Sequence, residues 1–74
     1  MSNADWRSRI VCDPMIHHGE PCICGTPIAV SVIVASLANL AVDDVLREYP
    51  QIAREDVQAA LLYAAEAAHS TLAA

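Results

Sequence analysis

A chain of 74 residues makes one domain, and at this size only about 60% of the surface of the unfolded form is buried, so the stability margin is thin. Nine acidic residues face four arginines and no lysine, for a formal charge of −5, which argues against a chain that holds a polyanion unaided, because Lys and Arg supply most of the affinity for phosphate. The core is aliphatic, with 19 Ile, Val and Leu residues against one Trp and no Phe, and Ser31, Ser36 and Asn39 interrupt the longest apolar run before it reaches the roughly 18 residues of a membrane span.

Met1-Ser2-Asn3-Ala4 reads as the remnant of a cleaved expression tag, leaving residues 5–74 as a single domain. No signal peptide is expected at this start, and three cysteines are an odd number, so the expected setting is a reducing cytoplasm rather than a disulfide framework. Trp6 is expected to cover one end of the core. Ile10, Val11 and Cys12 read as a short strand that ends at Asp13-Pro14. Residues 13–30 hold three prolines and two glycines, which excludes a helix through them and leaves Ile16, Ile23, Ile28 and Val30 as apolar points of one or two very short strands.

His17, His18, Cys22 and Cys24 fall within eight residues, and thiolates with imidazoles are what zinc selects. The cysteine pair is nevertheless C-x-C, outside the usual C-x₂₋₄-C spacing, so ordinary loop residues are the stronger expectation and no metal is assigned. From Val30 the pattern is ambiguous. Val30, Val32 and Val34 alternate as in a strand, whereas Val30, Ile33, Val34 and Leu37 satisfy a helix. Continuation through Ala38 favours a helix over residues 30–38.

Val42, Val45, Leu46 and Tyr49 form one apolar stripe opposite Asp43, Asp44, Arg47 and Glu48, and Pro50 ends that helix at about Tyr49. After the turn, Glu55 and Asp56 bring negative charge to a new first turn, and Val57, Leu61, Ala64, Ala68 and Leu72 continue a stripe for about four turns. These patterns by themselves predict a mainly α domain whose last two helices make a helix-turn-helix outline.

The run DP-x-I-x-x-G-x-P-x-I-x-G-T-x-I-x-V, followed by YP and ED-V-x-AAL-x-YAA, resembles the bacterial domain-of-unknown-function family 433 from about Trp6 to Ala68. The resemblance implies a three-helix, helix-turn-helix-like core with a short N-terminal β-hairpin, with Asn39 where the family closes the first helix with a left-handed glycine and Ala41 and Ala53 where it caps the next two helices with Ser and Thr. It further implies a VapB-like antitoxin paired with a PIN-like nuclease toxin, with operator DNA as a further partner. Three positions that are basic in that pattern hold Glu20, Cys24 and Pro27 here, which leaves Arg7, Arg9, Arg54 and Gln58 as the candidate DNA contacts and makes weak binding by the free protein the expectation.

A homodimer or toxin interface is expected along Ala60, Leu61, Ala64, Ala68 and Leu72, where small side chains let helices approach closely. Enzymatic activity is not expected. The adjacent acids Asp43-Asp44 and Glu55-Asp56 sit where helix dipoles favour charge, His69 near a helix end needs no catalytic role, and no cofactor motif is present.

Overall fold

The computed structural model describes residues 3–15 and 17–73, with side chains for residues 6–15 and 18–69. Its elements are a 3-10 turn at Asn3–Arg9, strand β1 at Ile10–Val11, a second 3-10 turn at His17–Gly19, strand β2 at Cys22–Ile23, and helices α1 (Val30–Ser36), α2 (Val42–Glu48) and α3 (Arg54–Ala73). The fold is mainly helical, with a two-stranded antiparallel sheet near the N-terminus, as expected. The first turn includes Asn3, within the residues set aside as a tag remnant, and Ile16 lies outside the described residues.

β1 and β2 pair in the register Ile10 with Ile23 and Val11 with Cys22. The loop between them carries only the three-residue 3-10 turn, and no helix runs through it among the described residues, as its prolines and glycines led one to expect. His18 (φ 58°, ψ 31°) and Gly19 (φ 85°) take left-handed conformations, which stop the turn from extending into a helix. Beyond β2 the Gly-Thr-Pro-Ile run has a specific job. Thr26 donates its amide to Ile23 O at 3.0 Å and its hydroxyl to the same oxygen at 2.9 Å, while the hydroxyl accepts the Ile28 amide at 3.1 Å. Gly25, at φ 82°, supplies the third turn position that a side chain would strain. The chain returns antiparallel, bridging Ala29 to Cys22 and closing Val30 N–H onto Pro21 O at 2.9 Å. α1 therefore starts beside the sheet.

The ambiguous segment is a helix, and it buries Val30 and Ile33 while leaving Val32 exposed. It is shorter than expected. Leu37 stays in the right-handed region, and the amides of residues 38 and 39 bond to the carbonyls of Ala35 and Ser36 at 3.1 Å. The end tightens into i→i+3 bonds, and Asn39 does not take the left-handed closing conformation, since His18 is the only non-glycine residue with positive φ among the described residues. α2 matches its stripe, with Val45 fully buried and Val42, Leu46 and Tyr49 packed at the edge of the core. Tyr49 leaves helical geometry at φ −125° and ψ 77° ahead of Pro50. The turn closes through Ile52 N–H onto Tyr49 O at 3.1 Å.

α3 packs chiefly on α1 and on the N-terminal 3-10 turn. The core where these elements meet comprises Ile23, Ile28, Val30, Ile33, Val45, Ile52, Val57 and Ala60. The expected α3 stripe is rotated by about one residue. Asp56, Val57, Ala59 and Ala60 are buried, whereas Leu61 and Ala68 are exposed. With alanine on nearly every side of this helix, packing rather than hydrophobic contrast selects the inner face.

Both uncapped helices use the acid three residues in. Asp44 Oδ2 accepts the Ala41 amide at 3.1 Å, and Asp56 Oδ2 accepts the Ala53 amide at 2.9 Å. Each is half of a capping box whose other half, an oxygen on the first residue, alanine cannot supply. Ala53→Thr is therefore expected to add about 1 kcal/mol of stability in urea melts by giving the first-turn amides that oxygen. An unchanged or lowered midpoint would show that a threonine hydroxyl cannot reach those amides.

Candidate interaction surface

Each arginine in the chain is engaged by a carboxylate of the same chain. Arg7 pairs with Glu66, Arg47 with Asp44, and Arg54 with Asp43, while Arg9 Nη1 lies 3.0 Å from Asp56 Oδ1. Arg7 also stacks over Trp6, with its guanidinium carbon 4.5 Å from the ring centroid. The candidate DNA contacts thus divide into two structural ties. Arg7 and Arg9 fasten the N-terminal turn to α3, and Arg54 fastens the start of α3 to α2. Gln58, one turn on from Arg54, is exposed and has Glu55 as an exposed neighbour.

Among the described acids, Asp13, Glu20, Glu48 and Glu55 have no ion-pair partner. Asp13 instead accepts the Met15 amide at 2.9 Å, turning the loop that carries the 89%-exposed Met15. Glu20 accepts the Ser31 hydroxyl at 2.7 Å. The charge left over on this surface is negative.

The expected α3 interface is only partly a surface. Ala60 is fully buried in the core, so it is no interface residue in this fold. Leu61 is 42% exposed, Ala64 half-buried and Ala68 exposed, and the side chain of Leu72 lies outside the described residues. A cleft of about 370 Å³ opens along the neighbouring side of α3 and shares Ala64 with that expected interface. Val30, Ser31, Val34 and Ala35 of α1 line it together with Tyr63, Ala64 and Ala67 of α3, and Glu20-Pro21 forms one lip. A second, smaller cleft of about 230 Å³ is lined by Trp6, Arg7, Ile10, Cys12, Tyr63 and Glu66. Tyr63 lines both. Burial pushes its phenol pKa up, reinforced by Cys12, with which it hydrogen-bonds, and by Glu66. Trp6 is half-buried and lines this cleft beside Ile10, but it is not among the side chains packed on the core, one end of which it was expected to cover.

Of the Cys/His cluster, Cys22 is buried, with its thiol donating to Glu20 O at 3.4 Å, while His18 and Cys24 are exposed and the side chain of His17 lies outside the described residues. Among the described residues no three His, Cys, Asp or Glu side chains converge on a metal position. All three thiols are free. Burial raises the Cys22 pKa, with Glu20 and Cys12 adding to the shift, so Cys22 holds little of the reactive thiolate at neutral pH. Titration of the native protein with a thiol reagent is expected to give two fast equivalents, Cys12 and Cys24, and a third that appears only on unfolding. Three equally fast equivalents would mean that the β2 region opens freely.

The cleft residues Val34, Ala35 and Tyr63 and the doubly used Asp56 are not singled out by sequence patterns. Alanine and valine on a short helix read equally as core, and an acid in a first turn reads as solvated charge. The one sequence signal toward the cleft is Glu20, which breaks the basic pattern of the resembling family.

The profile of a family described as "Protein of unknown function (DUF433)" matches residues 10–64, most of the chain. No curated protein and no solved structure gives a match.

Proposed function

The chain belongs to the DUF433 family, and from that premise we propose that it is the antitoxin component of a toxin–antitoxin pair, a non-enzymatic protein that neutralises a PIN-like nuclease by occupying its surface. The observation that carries this reading is the disposition of charge. The arginines are tied to carboxylates of the same chain, so among the described residues the charge free to meet a partner is that of Asp13, Glu20, Glu48 and Glu55. A ribonuclease needs a basic channel for RNA, and an acidic surface speeds encounter with such a channel and matches it in sign. Three free thiols suit a cytoplasmic setting.

The test is co-expression with the product of the neighbouring gene. Relief of toxicity together with co-purification is the expected result. A nuclease that stays toxic and does not co-purify, or a locus with no nuclease-like neighbour, would refute the reading.

The second reading is a helix-turn-helix regulator, favoured by the outline of α2, a tight turn and α3. For the free protein it predicts sequence-specific DNA binding. Arg54 would first have to leave Asp43, and Glu55 beside it repels phosphate. Binding by the free chain at physiological salt is therefore expected to be micromolar or weaker. A nanomolar gel shift with operator DNA would reverse the order of the two readings. A homodimer along the exposed side of α3 is compatible with either.

A further inference from the structure

The cleft between α1 and α3 combines an apolar floor with a single charged side chain on its lip. Val34 and Ala35 form one wall and Tyr63 and Ala64 the other. Glu20 is exposed, and among the described residues its partner is a hydroxyl, Ser31, and no cation. Its size, about 370 Å³, falls within the roughly 300–1,000 Å³ of clefts that bind ligands.

We propose that this cleft is the docking site for an amphipathic segment of a protein partner, with aliphatic side chains filling the floor and a lysine or arginine pairing with Glu20. The proposal rests on the protein-partner reading above and names the surface that carries it. Charge complementarity selects the occupant. A second copy would bring a further −5, and its own arginines are already in ion pairs. Nucleic acid offers few aliphatic groups for the floor, chiefly thymine methyls, and would set phosphate against Glu20. A basic, aliphatic protein segment satisfies both the floor and the lip.

The test uses the full chain, labelled with ¹⁵N, and two synthetic helical peptides that share one leucine stripe but carry either lysines or glutamates along its flanks. The lysine peptide is expected to shift the amides of Val34, Ala35 and Ala64. Glu20→Gln should weaken it about three- to fivefold, the scale of one exposed ion pair. Ala35→Gln, at an exposed helical position, should keep the fold and weaken it tenfold or more by filling the cleft. Shifts confined to other surfaces, equal binding of the two peptides, or no binding at millimolar concentration would overturn the proposal. Concentration-dependent shifts of the same amides in the chain alone, removed by Ala35→Gln, would overturn it in favour of a second copy. The two readings fail separately. A chain that binds the lysine peptide here but does not capture the nuclease loses the antitoxin assignment and keeps the docking site, whereas capture of the nuclease unaffected by Ala35→Gln loses only the site.

Discussion

Ile33→Ala is expected to lower stability by about 3 kcal/mol, within the roughly 2–5 kcal/mol range for truncating a large buried aliphatic side chain. Ile33 is fully buried in the core, to which α3 contributes Val57 and Ala60 as buried residues, both with short side chains. A 74-residue domain has a total stability on the order of 4–11 kcal/mol at the usual stability per residue. The loss is thus a large share of the whole, and the thermal midpoint should fall by roughly 10–25 °C. Val32→Ala, one residue earlier, is the control. Val32 is 42% exposed, and alanine is the better helix former, so the change should lie within about 0.5 kcal/mol of zero. The pair also tests the conformation of this segment. In a strand Val32 would share a face with Val30 and Val34, and its truncation would be the costlier one. Equal losses at the two positions would contradict the helix.

The second large effect is expected at Asp56, whose two oxygens serve different elements. Oδ2 holds the Ala53 amide at 2.9 Å and so closes the start of α3, and Oδ1 holds Arg9 at 3.0 Å and so ties the N-terminal turn to the same helix. Asp56→Ala removes both and should cost about 2 kcal/mol, roughly 1 for the helix start and the rest for the partly buried, charge-assisted bond. Arg9→Ala should cost less than about 1 kcal/mol, because the arginine side chain is 43% exposed against 13% for the aspartate, and water screens the pair from the arginine side. Asp56→Asn retains an acceptor for the Ala53 amide and should fall between the two. Urea melts of the single and double variants form a cycle with an expected coupling of about 0.5–1 kcal/mol. Additive losses would mean that the arginine and the aspartate are neighbours without an energetic tie. A change at Asp56 no larger than that at Arg9 would remove it as the closing group of α3.

What the sequence by itself determined are the features that depend on local backbone chemistry. Pro50 lacks an amide hydrogen and constrains the residue before it, so the break between α2 and α3 is legible without any tertiary information. The α2 stripe is legible for the same reason, since the strong contrast between Val45 and its acidic neighbours is written in a few adjacent residues. What only the tertiary structure decided are the choices on which local chemistry is neutral. Alternating valines satisfied strand and helix periods equally, and packing of Val30 and Ile33 into the core selected the helix. Alanine-rich α3 offers little hydrophobic contrast around its axis, so its inner face was set by what α1 and the N-terminal turn present to it, which buried Ala60 and left Leu61 outside. The state of the arginines followed in turn. Arg7 and Arg9 lie 59 and 47 residues from the acids they meet, and no spacing rule reaches that far along the chain. Only the folded arrangement turns Arg7, Arg9 and Arg54, three of the four candidate DNA contacts, into internal ties and leaves an apolar cleft with Glu20 at its edge.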